Sequence, residues 1–175
     1  DITEIHSVAS FFVSRVDTAV DTRLRALGTD EAKALLGQAA VANARLAWQA
    51  FLEFTATSSW QSLHAVGAQV QRPLWASTGV KDPAYSDTRY VVDLVARACV
   101  NTMPESTLNA MADHGVVIGD TITDHMTDAA RVWRELESLG VSYREVTDEL
   151  EAAGVSAFID SWNDLLTTVQ TALTT

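Results

Sequence analysis

The amino-acid sequence predicts an α/β fold, rich in helix, that forms one domain over residues 1–175. Three short strand-like runs alternate with longer helical segments, an order typical of parallel strands joined by crossover helices. The length suits a single domain with a substantial core, and a composition of 47% hydrophobic and 20% charged residues is that of a globular chain. We therefore expect three parallel strands with helices packed against them.

The strands are predicted near residues 6–13, 73–77 and 98–101. The first run, HSVASFFV, is rich in β-branched and aromatic residues and has no helical stripe, which indicates a buried strand. The second contains the apolar run PLWA, and the third contains Cys99, Val100 and Asn101. Pro104 then stands where a helix would begin, at its first position.

Apolar periodicity and end signals predict the helices. A helix over residues 17–27 ends at Gly28, and an alanine-rich helix begins at Thr29 and continues to about Phe54. Further helices are expected after a capping Ser58 or Ser59, and at residues 88–95, 123–139, 143–153 and 156–173. The last helix carries an apolar stripe of Phe158, Trp162, Leu165, Val169 and Leu173.

Charge and composition exclude several classes of function. The net charge of -11 argues against nucleic acid and against anionic membrane surfaces as partners. No apolar run approaches the roughly 20 residues that a membrane span needs, and the first residues have no signal-peptide pattern. The single Cys99 excludes an internal disulfide, so a reducing cytoplasm is the expected location.

A sheet of three parallel strands cannot bury both of its faces and both of its edges. The predicted sheet is therefore expected to be part of a larger one, most simply a TIM-type (β/α)8 barrel. In such barrels the chemistry takes place at the C-terminal ends of the strands, and the last strands often bind phosphate.

Polar residues follow the first two predicted strands where each strand ends. Ser14 and Arg15 follow the first strand, and the second leads into the run STGVK, from Ser77 to Lys81. Hydroxyls, backbone N–H groups and two cations could form a cradle for a phosphate dianion, and Gly79 would allow the backbone to approach a ligand closely. Ordinary turn chemistry with solvated surface cations is the alternative interpretation.

One further group of residues is a candidate metal site. Asp113, His114, Asp120, Asp124 and His125 cluster in the sequence and include types that bind metal. Their spacing matches no standard site, and we therefore predict no metal.

Five segments of the chain resemble the C-terminal half of bacterial transaldolases of the longer, actinobacterial type. These segments are SVASFFVSRVDTAVDTRL, ANARLAWQAF, RPLWASTGVKDPAYSDTRYVVDLV, VNTMPESTLNAMADHG and SWNDLL. The resemblance covers nearly the whole chain, and WASTGVKDPAY followed by VNTMP is its most specific part.

The resemblance implies a fold and an activity. Transaldolases are class I aldolase-type barrels of the pentose phosphate pathway, and they transfer a dihydroxyacetone unit from a ketose phosphate to an aldose phosphate. The reaction proceeds through a lysine Schiff base without metal or cofactor. The implied substrates are sedoheptulose 7-phosphate, fructose 6-phosphate, glyceraldehyde 3-phosphate and erythrose 4-phosphate.

The resemblance also implies site residues, and it makes the three predicted strands the sixth, seventh and eighth of the barrel. Arg15, Ser77 and Lys81 would bind the substrate phosphate; some relatives have an arginine in this loop, where Lys81 is the candidate here. The substrate pocket would be lined by Ser10, Phe12, Thr78 and Gly79.

The chain departs from the family pattern in one important respect. In transaldolases the Schiff-base lysine lies on the fourth strand, with its acid–base carboxylates on earlier strands, and the resemblance implies that this chain begins just before the sixth. Neither Lys33 nor Lys81 matches the lysine motif, so we expect no catalytic residue in this chain and no activity without an N-terminal half as its partner. The alternative is a non-catalytic half-barrel that serves as a structural or interaction piece. A fusion to a sugar-phosphate isomerase is a third, weaker interpretation.

Overall fold

The structure, a computed structural model, describes residues 1–174 and contains one three-stranded sheet. Strand β1 spans Val8–Phe12, β2 spans Arg72–Ala76 and β3 spans Val100–Asn101. The strands are parallel and adjacent in chain order, with Ser10 opposite Leu74 and Leu74 opposite Val100. The predicted α/β class, helix-rich with a small parallel sheet, is thereby confirmed.

Eight α-helices occur in residues 1–174, in addition to short 3-10 turns at Ile2–Glu4 and Thr123–His125. The bounds are α1 Ser14–Leu27, α2 Asp30–Ala34, α3 Ala39–Thr55, α4 Ser58–Ala65, α5 Arg89–Val92, α6 Glu105–His114, α7 Met126–Ser138 and α8 Tyr143–Thr174. Helix α1 follows β1 almost directly, and α1 to α4 all lie between β1 and β2 in the chain.

Three helix ends can be compared directly with the sequence signals. Gly28 ends α1 with a left-handed φ of 71°, and its N–H donates to the carbonyl of Leu24, as the C-terminal glycine predicts. The cap of α4 is Thr57, one residue before the serines that were expected to cap it. Pro104 is extended and precedes α6 as its cap instead of occupying the first helical position.

The helix predicted over residues 29–54 is divided in two. Helix α2 ends at Ala34 and α3 begins at Ala39, because Gly37 between them has a left-handed φ of 70°. In contrast, the segments predicted as separate helices at 143–153 and 156–173 form the single helix α8. Gly154 does not interrupt α8, since a glycine inside a helix costs only about 1 kcal/mol relative to alanine.

The strands are less buried than predicted. Val8 and Phe12 of β1 are 41% and 38% exposed, and Trp75 is the one fully buried residue of β2. Helices cover the face that carries Phe11 and Trp75, whose rings meet edge to face with their centroids 5.9 Å apart. The opposite face, which carries Ser10 and Phe12, is open. Burial was overestimated because apolar content alone does not specify which elements cover a strand.

The hydrophobic core lies between the helices on the covered side of the sheet. Helix α3 packs against both α1 and α7, and buried alanines such as Ala39, Ala40 and Ala44 allow the helices to approach closely. The largest buried side chains of this core include Val20, Leu24, Trp48, Leu94, Ile122, Trp133 and Leu136. This packing holds α1 in place, so that its N-terminus stays at the end of β1.

Helix α8 packs against α1 near its beginning, where Val146 is fully buried. Farther along, its predicted apolar stripe is exposed, with Phe158 at 65% and Trp162 at 60% exposure. No helix within residues 1–174 is long and apolar enough to cross a membrane.

Candidate functional site

The C-terminal ends of β1 and β2 are joined directly. The N–H of Val13 donates to the carbonyl of Ala76 at 2.9 Å, and the N–H of Ser14 donates to that of Ser77 at 3.0 Å. The hydroxyl oxygens of Ser14 and Ser77 are also within hydrogen-bonding distance, 2.9 Å apart. Ser77 has a φ of 56°, an uncommon conformation for a residue other than glycine. The strand pairing therefore continues into the polar residues that were predicted to form a site.

Two of the predicted pocket residues hold the loop to its surroundings. Thr78 is fully buried, and its hydroxyl donates to the carbonyl of Thr102 at 2.6 Å. A Cβ on Gly79 would lie 3.0 Å from Cγ of Pro104, so the absence of a side chain lets the loop pass close to the start of α6. The Thr78 hydroxyl hydrogen is thus committed to the protein, while Ser77 remains half-buried at the edge of the sheet.

The remaining predicted residues are exposed. Ser10 and Phe12 lie on the open face of the sheet, and the Arg15 guanidinium lies over the Phe12 ring, 4.7 Å from its centroid. Arg15 lines a largely apolar cavity of about 340 Å³ that β1, α1 and α8 enclose. Lys81 lines a different, polar cavity of about 300 Å³ between α1 and the loop after β2. The two cations expected in one cradle therefore lie at the ends of neighbouring strands but border separate cavities.

Sequence reasoning missed a buried carboxylate, Asp17, beside the polar cavity. Its Oδ1 accepts a hydrogen bond from the N–H of Ala40 at 2.7 Å, and its Oδ2 accepts one from the hydroxyl of Tyr90 at 2.7 Å. Burial raises the pKa of Asp17, although both hydrogen bonds oppose the increase. Burial and the nearby Asp17 also raise the pKa of Tyr90. Asp17 therefore links α1 to the start of α3 and to α5.

Asp21, one turn later on α1, forms a second link of the same kind. Its Oδ1 accepts from the N–H of Gly37 at 2.8 Å, and its Oδ2 accepts from the hydroxyl of Tyr85 at 2.6 Å. Burial and the bond to Asp21 raise the pKa of Tyr85. A detectable signal was present in the sequence, since two acids four residues apart interrupt the apolar face of α1 that includes Val20 and Leu24.

We expect Asp17→Ala to lower the free energy of unfolding by about 2–4 kcal/mol, because each buried group left without its hydrogen bond costs about 1–3 kcal/mol. The groups affected are the Ala40 amide and the Tyr90 hydroxyl. Urea denaturation at pH 7 measures the difference. Stability equal to that of the wild type would contradict the assigned bonds.

Asp17→Asn is the matched control, because it keeps an acceptor for Ala40 and removes the charge. Since the folded-state pKa of Asp17 is raised above 3.8, protonation of its carboxyl favours the folded state, and this proton-linked contribution is fully present below pH 3.8. The contribution is lost as the pH rises through the folded-state pKa. The Asn variant should lack this component of the pH dependence, and denaturation across the acidic range would reveal it.

The residues of the candidate metal site have other partners. The His114 ring lies 2.9 Å from Asp87 and 3.1 Å from Asp113, and the hydrogen bonds to both carboxylates raise its pKa. Asp120 accepts hydrogen bonds from the backbone of Ile122 and Thr123. Within residues 1–174, no three or more His, Cys, Asp or Glu side chains are arranged so that they could hold a metal ion.

Both lysines of the chain are exposed. Lys33 lies 3.0 Å from Asp30 in an ion pair on the surface of α2. Lys81 is at the edge of the polar cavity, and neither it nor Arg15 forms an ion pair with any carboxylate in residues 1–174.

A family profile and individual known proteins both match this chain. The sequence profile of the family described as Transaldolase/Fructose-6-phosphate aldolase matches residues 2–169. The transaldolase of Renibacterium salmoninarum is 60% identical over 173 residues, which are 99% of this chain and 46% of that protein. Transaldolase 2 of Streptomyces coelicolor is 58% identical, with the same two shares covered.

The chain thus spans about half the length of the curated relatives that it matches. A profile match over residues 2–169 covers nearly all of the chain and confirms the resemblance found in the sequence segments. The chain belongs to the transaldolase/fructose-6-phosphate aldolase family.

Proposed function

We propose that this chain provides the phosphate-binding part of a transaldolase. The reaction transfers a dihydroxyacetone unit from sedoheptulose 7-phosphate to glyceraldehyde 3-phosphate and yields erythrose 4-phosphate and fructose 6-phosphate. Arg15, Ser77 and Lys81 bind the substrate phosphate, and Ser10, Phe12, Thr78 and Gly79 line the pocket around it. A cytoplasmic location belongs to the same proposal.

The direct junction between the ends of β1 and β2 carries this proposal. The bonds from Val13 to Ala76 and from Ser14 to Ser77 bring the residues after both strands to one edge of the sheet. In α/β barrels this edge is where substrates bind and where the last strands hold phosphate. Arg15 and Lys81 supply exposed positive charge at this edge in a chain of net charge -11. Exposed cations that no carboxylate pairs with favour an anionic ligand.

The open surfaces of the fold support a larger barrel in which β1, β2 and β3 are the sixth, seventh and eighth strands. Strand β1 has a free edge, and the face bearing Ser10 and Phe12 is uncovered. The apolar stripe of α8, which includes Phe158 and Trp162, is exposed as well. Apolar patches of this kind usually mark a surface that another protein segment covers. The partner in this proposal is the N-terminal half of the same enzyme.

The Schiff-base lysine is assigned to that N-terminal half. The amine of such a lysine must be deprotonated near neutral pH, which requires burial in an apolar environment or a neighbouring cation. Lys33 is paired with Asp30 on the surface, and Lys81 is exposed. Neither has the required environment. The proposed reaction uses no metal and no cofactor.

A non-catalytic half-barrel is the second candidate function. The observation that favours it is that both lysines, Lys33 and Lys81, are exposed and lack the environment of a Schiff-base amine. Such a half-barrel would retain the phosphate site and act only as a structural or interaction piece.

A chimera distinguishes the two candidates. The part of the Renibacterium salmoninarum transaldolase that this chain does not match is joined to this chain and incubated with sedoheptulose 7-phosphate and glyceraldehyde 3-phosphate. We expect erythrose 4-phosphate to form, with the intact relative as positive control and each part alone as negative controls. A folded chimera without activity would favour the half-barrel candidate instead.

A further inference from the structure

The loop of residues 77–85, which follows β2, is fastened at both ends. At its beginning, Ser77 is bonded to Ser14 and the Thr78 hydroxyl is bonded to Thr102. At its end, the Tyr85 hydroxyl is bonded to Asp21 on α1. Lys81 lies between the two attachments, so its position depends on both.

Tyr85 is held on three sides. Its hydroxyl donates to the buried Asp21 at 2.6 Å, and the Arg89 guanidinium lies over its ring, 4.8 Å from the centroid. Gly37 packs against the third side of the Tyr85 ring, so closely that a Cβ added to Gly37 would lie only 2.6 Å from Cζ of Tyr85. Arg89 also donates a hydrogen bond to the carbonyl of Gly37, which closes the group. Tyr85 is therefore a half-buried anchor that contacts Asp21 and Gly37, both distant in sequence, and the nearby Arg89.

The anchor is connected to Lys81 through a short turn. The N–H of Tyr85 donates to the carbonyl of Asp82 at 3.1 Å, and Oδ1 of Asp82 accepts from the N–H of Ala84 at 2.9 Å. The Asp82 carboxylate also pairs with Arg25 on α1. An exposed ion pair of this kind contributes little by itself, because water screens it. The Tyr85–Asp21 bond is thus the stronger attachment of the segment that contains Lys81.

We propose that Tyr85 is a positioning residue that sets the affinity of the chain for phosphate through Lys81. The proposal rests on the proposed function, which gives Lys81 its role. Without the Tyr85 hydroxyl, residues 80–85 would sample more conformations, and phosphate binding would then have to order them. We expect Tyr85→Phe to weaken phosphate binding by about three- to tenfold, as expected for the loss of part of one charged contact.

The test uses inorganic phosphate as the probe and the amide NMR signals of Gly79 and Val80 as the readout, at constant ionic strength. Tyr90→Phe is the matched control. The Tyr90 hydroxyl donates at 2.7 Å to Asp17, a buried carboxylate that lies on α1 as Asp21 does. Tyr90 itself lies on α5, outside the 77–85 loop. Tyr90→Phe should lose at least as much thermal stability as Tyr85→Phe, since Tyr90 is the more buried of the two tyrosines. Only Tyr85→Phe should weaken phosphate binding.

A double substitution tests whether Tyr85 affects phosphate binding through Lys81. In a Lys81→Ala chain, Tyr85→Phe should have no further effect on the phosphate affinity, because the amine that Tyr85 positions is gone.

The outcomes separate this inference from the proposed function. Equal phosphate affinity in the wild type and Tyr85→Phe would overturn the positioning role and leave the phosphate site intact. Equal weakening in Tyr85→Phe and Tyr90→Phe would overturn it as well, since general stability would then explain the result. The absence of saturable phosphate shifts in the wild-type chain would overturn both the site and the inference.

Discussion

Treatment of this chain with fructose 6-phosphate and borohydride should leave its mass unchanged. Borohydride traps a Schiff base by reducing the carbon–nitrogen double bond, so an adduct forms only on a lysine whose amine is free to attack the ketone. Lys33 is engaged with Asp30 on the surface, and Lys81 is exposed. Neither lysine lies in a pocket that excludes water, where its amine could attack the ketone.

The chimera with the remaining part of the Renibacterium salmoninarum transaldolase should give the opposite result. Its mass should increase by one reduced dihydroxyacetone unit, and peptide mapping should place the unit outside the 175 residues of this chain. The intact relative serves as the positive control. An adduct on Lys81 of the isolated chain would overturn the assignment of the reactive lysine to the other half.

Arg15→Ala in the chimera should raise KM for phosphorylated substrates by about ten- to hundredfold. A hydrogen bond to a charged group contributes about 1.5–3 kcal/mol, and each 1.4 kcal/mol corresponds to about a tenfold change. Lys81→Ala should act in the same direction but more weakly, because lysine contacts phosphate as a point charge without the bidentate geometry of arginine. Steady-state kinetics with varied sedoheptulose 7-phosphate provides the measurement.

Arg72→Ala is the matched control for this effect. Arg72 is an exposed arginine of the same sheet, but it begins β2 and therefore lies at the opposite end of the strand from Ser77. Its removal should leave KM unchanged. If Arg15→Ala and Lys81→Ala lowered the melting temperature and left KM at the wild-type value, both cations would be structural.

The positions of the strands could be predicted because their signal is local. Runs such as HSVASFFV contain β-branched and aromatic residues over a short length, and the helical segments between them require parallel pairing. The end of α1 at Gly28 was predicted for the same reason, since a left-handed residue after a helix is a property of that residue. The family resemblance rests on equally local strings, of which WASTGVKDPAY is the most specific.

The interruption between α2 and α3 could not be predicted from local signals. The apolar spacing from Leu35 to Ala39 continues across Gly37 as if the helix were unbroken. The break depends on Asp21 and Tyr85, which hold and crowd the Gly37 backbone from 16 and 48 residues away in the chain. Contacts between such distant residues are absent from any local pattern.

The sequence by itself determined the order of the elements, the parallel sheet, the family and the polar residues after β1 and β2. The tertiary structure alone decided how those residues are used. It commits the Thr78 hydroxyl to Thr102, places Arg15 and Lys81 beside separate cavities, and joins the 77–85 loop to α1 through Tyr85 and Asp21. The physical reason is that residue types specify which bonds a side chain can form, whereas packing of distant segments determines which partner is within reach.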